Sequence, residues 1–543
     1  MKILAVIPAR AGSRGIPNKN FRLINDKPLI AYSIKNAQAS KYITDIIVTT
    51  DSPIIETIAK NQNVSVHLRN PSLCGDDVTL DAVIYDAQLS GCWDYVITLQ
   101  PTSPTLTART LDLAIAYAIS NNFDSVISVT NQPHLAWQLS ENGQIIPAYK
   151  QRLNRQYLPP YFKETGAFVI SKGSCIKPNS RLGNHTGVYE IPENEAIDID
   201  TFSDLKVAES ILTQKNVAFY VNGNNNIGLG HIYRVLELAD EFYCKPDIYY
   251  NKQLTTESSF GKTTHNLIPV NDESDLFEKI RHKKYSIFIN DILSTSSSYM
   301  SHLKSALSTN NTKIINIEDD GDGACLANLI INALYNHSVA DNEVSGEKYY
   351  IAPKLFLIYK KNEIRATVSN IFICFGGADP QNYTEAVLDI ITKNYYKNYS
   401  FNWSIFDKNG RNISMQIVRK NNFEKYGKYS NIRILYDVPN MPALMLEHDI
   451  AITSRGRTAF ELALLGIPTI SIAQNDREMM HSFISPQNGF EFLGFKPPMD
   501  TLEKIIQTYL MMSKESRELI QNKLLSHDLR GGRNRVMHLI RSI

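Results

Sequence analysis

From Met1 to about Leu212, short apolar β-branched runs alternate with amphipathic stretches, the pattern made by βαβ units on a parallel sheet. LAVIPA, DIIVTTD, YVITLQP and SVISVT read as strands. Between them, LIAYSIKNAQAS carries apolar positions at helical spacing. SPIIETIAK opens with Ser52 as a helix cap and Pro53 at the first helical position. A helix over Ser203 to Leu212 and a polar stretch, Thr213 to Asn216, close this block. A new strand, VAFYV, starts at Val217 and runs into a Gly/Asn loop and a helix, which predicts a domain boundary. The alternation continues through PDIYYN, YSIFIND, TKIINIED and LIINA, then restarts at Asn370 with NIFICFGGADP. The pattern predicts α/β structure throughout: a Rossmann-like domain over 1–213, then two Rossmann-like lobes, 214–365 and 366–543, facing each other across a cleft.

Composition narrows the possibilities. The 543 residues suffice for about three or four packing units. With 56 Lys+Arg against 55 Asp+Glu, the net charge of +1 argues against nucleic-acid binding through a general basic field, though not against small phosphorylated ligands. The six cysteines form no CxxC pair, so neither a disulfide framework nor a thiolate zinc site is expected, and a reducing cytoplasm fits best. The apolar run at the N-terminus is too short for a membrane span and has no small-residue cleavage site after it. No other stretch approaches the roughly 20 apolar residues of a spanning helix, so no membrane partner is expected.

The first strand ends in Pro8-Ala9-Arg10-Ala11-Gly12-Ser13-Arg14-Gly15-Ile16-Pro17-Asn18-Lys19-Asn20. Gly12 and Gly15 let backbone N–H groups approach an anion, and Arg10, Arg14 and Lys19 add charge around the same point. The loop lies where α/β sheets bind ligands, and it reads as a triphosphate cradle of neither the Walker nor the GxGxxG kind. Farther on, Ala196-Ile197-Asp198-Ile199-Asp200-Thr201 reads as a strand that presents Asp198 and Asp200 on one face to a hard cation, Mg²⁺ with a nucleotide triphosphate. Alternatively, Asp200 caps the following helix.

PARAGSRGIPNKN, VTTD, Arg69-Asn70-Pro71, LQPTSP and IDIDTFSDLKVAE resemble, in order and spacing, the CMP-sialic acid synthetases, the acylneuraminate and nonulosonate cytidylyltransferases. The resemblance implies a glycosyltransferase-A-like nucleotidyltransferase domain. Arg10, Gly12, Ser13, Arg14, Lys19 and Asn20 would hold the phosphates and ribose of CTP, with Arg10 and Lys19 catalytic, and Arg69 would contact the cytosine. Gln100 would touch the acidic sugar, and Asp198 and Asp200 would hold Mg²⁺. The implied reaction is attack by the anomeric hydroxyl of a nine-carbon 2-keto acid on the α-phosphorus of CTP, releasing pyrophosphate. Positioning and charge neutralisation would carry it. The resemblance also implies a homodimer through the first domain. Tyr157 to Phe168, YLPPYFKETGAF, would shape the sugar pocket, or serve as a structural loop.

In the C-terminal half, the loop after VAFYV ends in Gly228-Leu229-Gly230-His231-Ile232-Tyr233-Arg234, with His231 in the first turn of a helix. A helix N-terminus disfavours imidazolium, so His231 is expected to stay neutral and able to take a proton. Arg234, on the same face, is expected to hold an anionic group. Phe375-Gly376-Gly377-Ala378-Asp379-Pro380 supplies a glycine turn suited to a diphosphate. Ser454-Arg455-Gly456-Arg457-Thr458 opens a helix as a second anion site, with Glu461 placed for ribose hydroxyls.

GLGHIYR, FGGADP, GRTAFELALLGIPTISIA and Asn475 resemble the UDP-sugar hydrolase of pseudaminic acid biosynthesis, a relative of two-lobed glycosyltransferase-B-like enzymes. By that resemblance His231 is the base that activates water. Gly230, Arg234, Gly376, Gly377, Ser454, Arg455, Gly456, Arg457, Thr458, Glu461 and Asn475 surround the nucleotide sugar. Arg455 and Arg457 depart from the hydrolase pattern of small residues around Gly456. The whole chain then reads as a bifunctional enzyme of nonulosonic acid assembly, with CTP, a nonulosonic acid and a UDP-sugar as its small-molecule partners. The alternative is a cytidylyltransferase for sialic or legionaminic acid fused to a glycosyltransferase or a non-catalytic nucleotide-sugar module.

Overall fold

A computed structural model describes residues 1–12, 15–75, 77–224, 229–335, 341–376, 379–396, 414–418, 426, 432–435 and 438–543. The chain divides into two compact units, Met1–Gln214 and Lys215–Ile543. Among the described residues no helix is long and apolar enough to cross a membrane.

The first unit is built on a seven-stranded sheet in the order Thr186–Glu190, Ser125–Asn131, Phe162–Lys172, Tyr95–Leu99, Ile3–Pro8, Asp45–Thr50, Ser65–Leu68. Its strands run parallel to their neighbours except Phe162–Lys172, which is antiparallel to both of its own. β-Branched runs buried on both faces dictate this, and Ile34, Ile55, Ile97 and Leu111 pack in one core with no exposed surface. Each such side chain contributes roughly 1.5–3 kcal/mol by leaving water. The order reverses between Ile3–Pro8 and Tyr95–Leu99, so the crevice beyond the carboxyl ends of these two strands is the place where such sheets take ligands. Arg10 and Gln100 lie at those ends.

Two sequence readings are corrected here. Phe162–Lys172, part of the segment read as pocket or loop, is the longest strand of this sheet. It escapes the alternation rule because a bulge between Glu164 and Val169 breaks its period. Ala196 to Asp200 is not a strand, since among the described residues it joins no ladder beyond the single bond from the Ile199 N–H to the Thr102 carbonyl at 2.9 Å, and neither aspartate caps the helix Phe202–Leu212. Thr201 and Asp204 do so, in a reciprocal capping box worth about 1 kcal/mol.

The second unit holds two fully parallel sheets. One runs Asn266–Val270, Asp247–Asn251, Val217–Val221, Ile287–Asp291, Lys313–Ile317, Leu329–Asn332, Glu343–Ser345. The other runs Ile432–Leu435, Ser414–Val418, Asn370–Cys374, Ile450–Ser454, Thr469–Ala473, Phe490–Phe495. Both have the doubly wound order, reversing beside their first strand. The two reversal points lie at Val221 and Asp291 in one sheet, and at Cys374 and Ser454 in the other. A contiguous lobe over 366–543 does not follow the packing. Val536, Met537 and Ile540 of the last helix, Gly532–Ser542, pack with Val217, Phe219 and Ile287, so the chain returns to the first sheet of this unit.

Candidate functional site

In the first unit, Arg10, Gly12, Lys19, Asn20, Arg69 and Gln100 line one cleft of about 300 Å³ at the sheet's reversal point. The loop after the first strand is tied at several points. Asn20 is buried and donates from Nδ2 to the Arg10 carbonyl at 3.0 Å, and the Ala11 N–H donates to Asp51 Oδ1 at 2.7 Å. Lys19 Nζ donates to the Ile199 carbonyl at 2.7 Å and pairs with Asp200 Oδ1 at 3.1 Å. These bonds pin the ammonium against the 196–200 segment. A Cβ on Gly15 would lie 2.5 Å from the Asp200 carbonyl oxygen, so this glycine serves the close approach of two chain segments rather than an anion. Nothing lies within 4 Å of a Cβ on Gly12. Ser13 and Arg14 lie outside the described residues.

Arg69 donates from Nη2 to the Thr49 carbonyl at 3.1 Å, while its Nε is buried with no hydrogen bond among the described residues. Burial lowers its pKa. Gln100 is held through its carbonyl, which accepts from Ser33 Oγ at 3.0 Å. Gly166, with φ of +72°, brings the strand bulge against the site. A Cβ there would lie 2.9 Å from Asp198 Oδ2 and 3.9 Å from Gln100 Nε2. Sequence reasoning missed Gly166 and Asp51, and only the glycine inside an apolar run signalled the former.

The Asp198 carboxyl is pushed up by burial and by the nearby charge of Asp200. A divalent cation would relieve both effects, and oxygen donors of this kind suit Mg²⁺. Lys19 already neutralises part of the charge.

In the second unit, His231 begins the helix Gly230–Ala239 and Asp291 ends the neighbouring strand, so both sit at the reversal point. His231 Nδ1 lies 2.6 Å from Asp291 Oδ1, and Arg234 donates to both Asp291 oxygens, at 2.5 and 2.7 Å. Arg234 also pairs with Glu318 at 3.3 Å. Asp291, Arg234 and Glu318 are 0%, 2% and 3% exposed. This corrects the reading of Arg234 as a clamp for a ligand's anion: its charge is already taken by two buried carboxylates. Burial pushes the Asp291 carboxyl up, but Arg234 and His231 more than offset it and hold it below the usual carboxylate range. Burial pushes the His231 imidazole down. The bond to Asp291 offsets this only in part, and Arg234 and Arg477 reinforce it. Asp291 and Glu318 were not singled out from sequence, although an acidic residue closing a parallel strand was the available signal in both YSIFIND and TKIINIED.

Arg455 is corrected as well. It is 7% exposed, donates to the carbonyls of Ile484 at 3.0 Å and Met479 at 2.7 Å, and sits 3.8 Å from the Phe492 ring centroid. Its cation is used inside the fold. Arg457 donates to the Ile351 carbonyl at 3.1 Å and lies over Tyr350. Gly230 packs against it, since a Cβ would lie 2.9 Å from Arg457 Cδ. Ser454 closes its strand and is buried, and Gly456 caps the helix Arg457–Leu465, which carries Thr458 and Glu461. Burial raises the Glu461 carboxyl to about 7, with Arg457 opposing. Gly376 turns the chain with φ of +75°, and Gly377 lies outside the described residues. Asn475 caps a short helix, its Oδ1 accepting from the Glu478 N–H at 2.9 Å. Arg477, unassigned from sequence, donates to Tyr335 Oη and to the Glu318 carbonyl.

Residues 4–226 match the family model described as Cytidylyltransferase. The N-acylneuraminate cytidylyltransferase of Streptococcus agalactiae serotype V is 30% identical over 247 residues, which are 42% of this chain and 59% of that protein. The chain thus spans less than two thirds of that relative's length. The Post-translational flagellin modification protein B of Campylobacter coli is 28% identical over 228 residues, covering 40% of this chain and 97% of the relative. Among solved structures, Acinetobacter baumannii MurG aligns with 61% of this chain and 100% of its own at 13% identity and a TM-score of 0.45.

Proposed function

We propose that the first unit transfers CMP from CTP to a nonulosonic acid of the sialic or pseudaminic type and releases pyrophosphate. The observation that carries this is the cleft at the sheet's reversal point, where Arg10, Lys19, Arg69 and Gln100 converge within a segment that matches the cytidylyltransferase model. Arg10 and Lys19 hold the phosphates, Arg69 meets the base, and Gln100 meets the acidic sugar. Mg²⁺, when bound by Asp198 and Asp200, supplies charge neutralisation at the triphosphate. The test is pyrophosphate release from purified protein given CTP, Mg²⁺ and a panel of nonulosonic acids. Turnover with at least one acid is expected, and turnover with none rejects the reading.

The second unit is read as a UDP-sugar hydrolase. His231 takes a proton from water while the water oxygen bonds the anomeric carbon, and the electron pair of the broken bond departs with UDP. The imidazole held by Asp291 supplies a base suited to activating water. UDP release without an added acceptor separates this reading from the transferase alternative.

The first unit is also read as a homodimer. The hairpin of Trp137–Leu139 and Ile145–Pro147 leaves Trp137, Leu139 and Ile145 exposed by 58%, 70% and 72%, a cluster that a second copy would cover. Sedimentation of the full chain should give a dimer, and Trp137→Ser with Ile145→Ser should shift it toward monomer.

A further inference from the structure

The charges packed around His231 do more than fill the interior. Two groups face His231 Nδ1, Asp291 Oδ1 at 2.6 Å and Arg234 Nη2 at 3.2 Å; Asp291 is ionised and the nearer of the two, so the proton in that contact belongs to Nδ1, and Nε2 is left as the basic nitrogen. Nε2 carries no hydrogen bond among the described residues. Asp291 is itself fixed on its other side by two bonds from Arg234, which approaches from the same helix as His231. Arg234 is fixed in turn by Glu318, whose carboxylate also accepts the Ala333 and Leu334 N–H groups at 3.1 and 3.2 Å. Glu318 adopts φ of +54°, a backbone conformation a glutamate keeps only where its surroundings impose it. Arg477 donates to the carbonyl of the same residue at 2.9 Å. The sequence Glu318, Arg234, Asp291, His231 is therefore one continuous, almost solvent-free chain of charge-assisted bonds ending at the imidazole.

We propose that Asp291 and Arg234 are positioning residues: Asp291 holds the His231 ring in the Nδ1–H form, and Arg234 locks Asp291 in place, so that Nε2 serves as the base. This rests on reading the second unit as a UDP-sugar hydrolase. A lone carboxylate would orient the ring but also favour its protonated form. Burial does most to keep the imidazole neutral, and Arg234 adds to it by offsetting part of the Asp291 charge while leaving the orientation. The charged groups facing His231 are Asp291 at its strand end, Arg234 on its own helix and Arg477 from the helix Asp476–Met479, with Glu318 acting through Arg234.

Histidine ¹⁵N spectra of the wild-type full chain, with the His231 signals identified by their loss in His231→Asn, read the tautomer directly. A protonated Nδ1 and a bare Nε2 at neutral pH are expected, and the Nε2–H form overturns the proposal. UDP release against pH then separates the two roles. Asp291→Asn should lower kcat by at least about 100-fold with KM within about threefold, as expected when a histidine loses the carboxylate that sets its tautomer. Arg234→Gln should move the acid limb to higher pH, because Asp291 then acts on the imidazole uncompensated. A kcat for Asp291→Asn within about threefold of wild type overturns the proposal, as does an Arg234→Gln limb that stays in place. Wild-type protein that releases no UDP from any UDP-sugar rejects the hydrolase reading instead, and the tautomer spectrum still decides the geometry. Should either variant fail to fold, that spectrum alone carries the decision.

Discussion

Lys19→Met is expected to lower pyrophosphate release from CTP by about 10²–10³-fold, the loss typical when one preorganised charge is removed from a site of developing negative charge. Lys19 Nζ is held by the Ile199 carbonyl and by Asp200, and its side chain is only 14% exposed, so the ammonium is in place before any triphosphate arrives. No reorganisation is then needed at the moment of reaction. The methionine keeps most of the apolar stem. The partner lost, Asp200, has a side chain 74% exposed, and an ion pair to such a group is worth about 0–1 kcal/mol, so melting should change little. A variant that releases pyrophosphate within about threefold of wild type would show that the cation is structural only. UDP release by the same variant serves as the control, since Lys19 belongs to the other compact unit.

The second large effect is expected for His231→Ala, with UDP release reduced by about 10²–10⁴-fold, the range contributed by a positioned general base. Pyrophosphate release should be unchanged. Asp291 and Arg234 remain paired in the variant, so no uncompensated charge is buried. The wild-type profile carries a sign as well. Burial lowers the His231 pKa, so the neutral imidazole persists to lower pH than an ordinary one, and UDP release should fall only as pH drops below the ordinary imidazole value. An acid limb above that value, or release that survives His231→Ala, contradicts the assignment.

Much of the first site was legible from local sequence. Arg10 and Gln100 follow directly from the ends of apolar strands, and a strand's carboxyl end in a doubly wound sheet is a ligand position whatever the rest of the fold does. Lys19 and Asn20 come on the same loop, nine and ten residues downstream of Arg10. Asp198 and Asp200 were found for a reason the structure replaces. They do not alternate on a strand, but lie on an extended segment held by Lys19 and by the Asp200 carbonyl's approach to Gly15. The bulged strand Phe162–Lys172 was not legible, because three extra residues between Glu164 and Val169 shift the inward positions onto the wrong parity.

In the second site the difficulty was charge. Two arginines beside Gly456 read as ligands for a diphosphate, and Arg234 as another. Yet Arg455 is consumed by the carbonyls of Ile484 and Met479 and the ring of Phe492, and Arg234 by Asp291 and Glu318. None of those partners lies within 20 residues along the chain.

The sequence by itself determined the regular strands and helices and their turning points, the bulged strand Phe162–Lys172 and the segment 196–200 excepted, because apolar period, helix caps and glycine turns act over a few neighbouring residues. It determined as well that loops rich in cations and glycines follow the opening strands of the sheets. Only the tertiary structure decided which of those cations remain for a ligand. An arginine's availability depends on the carbonyls, carboxylates and rings that distant segments bring to it. Thus Arg69 lines the cleft with its Nε unpaired among the described residues, while Arg455, also read as a ligand for phosphate-bearing groups, has its bonds already made.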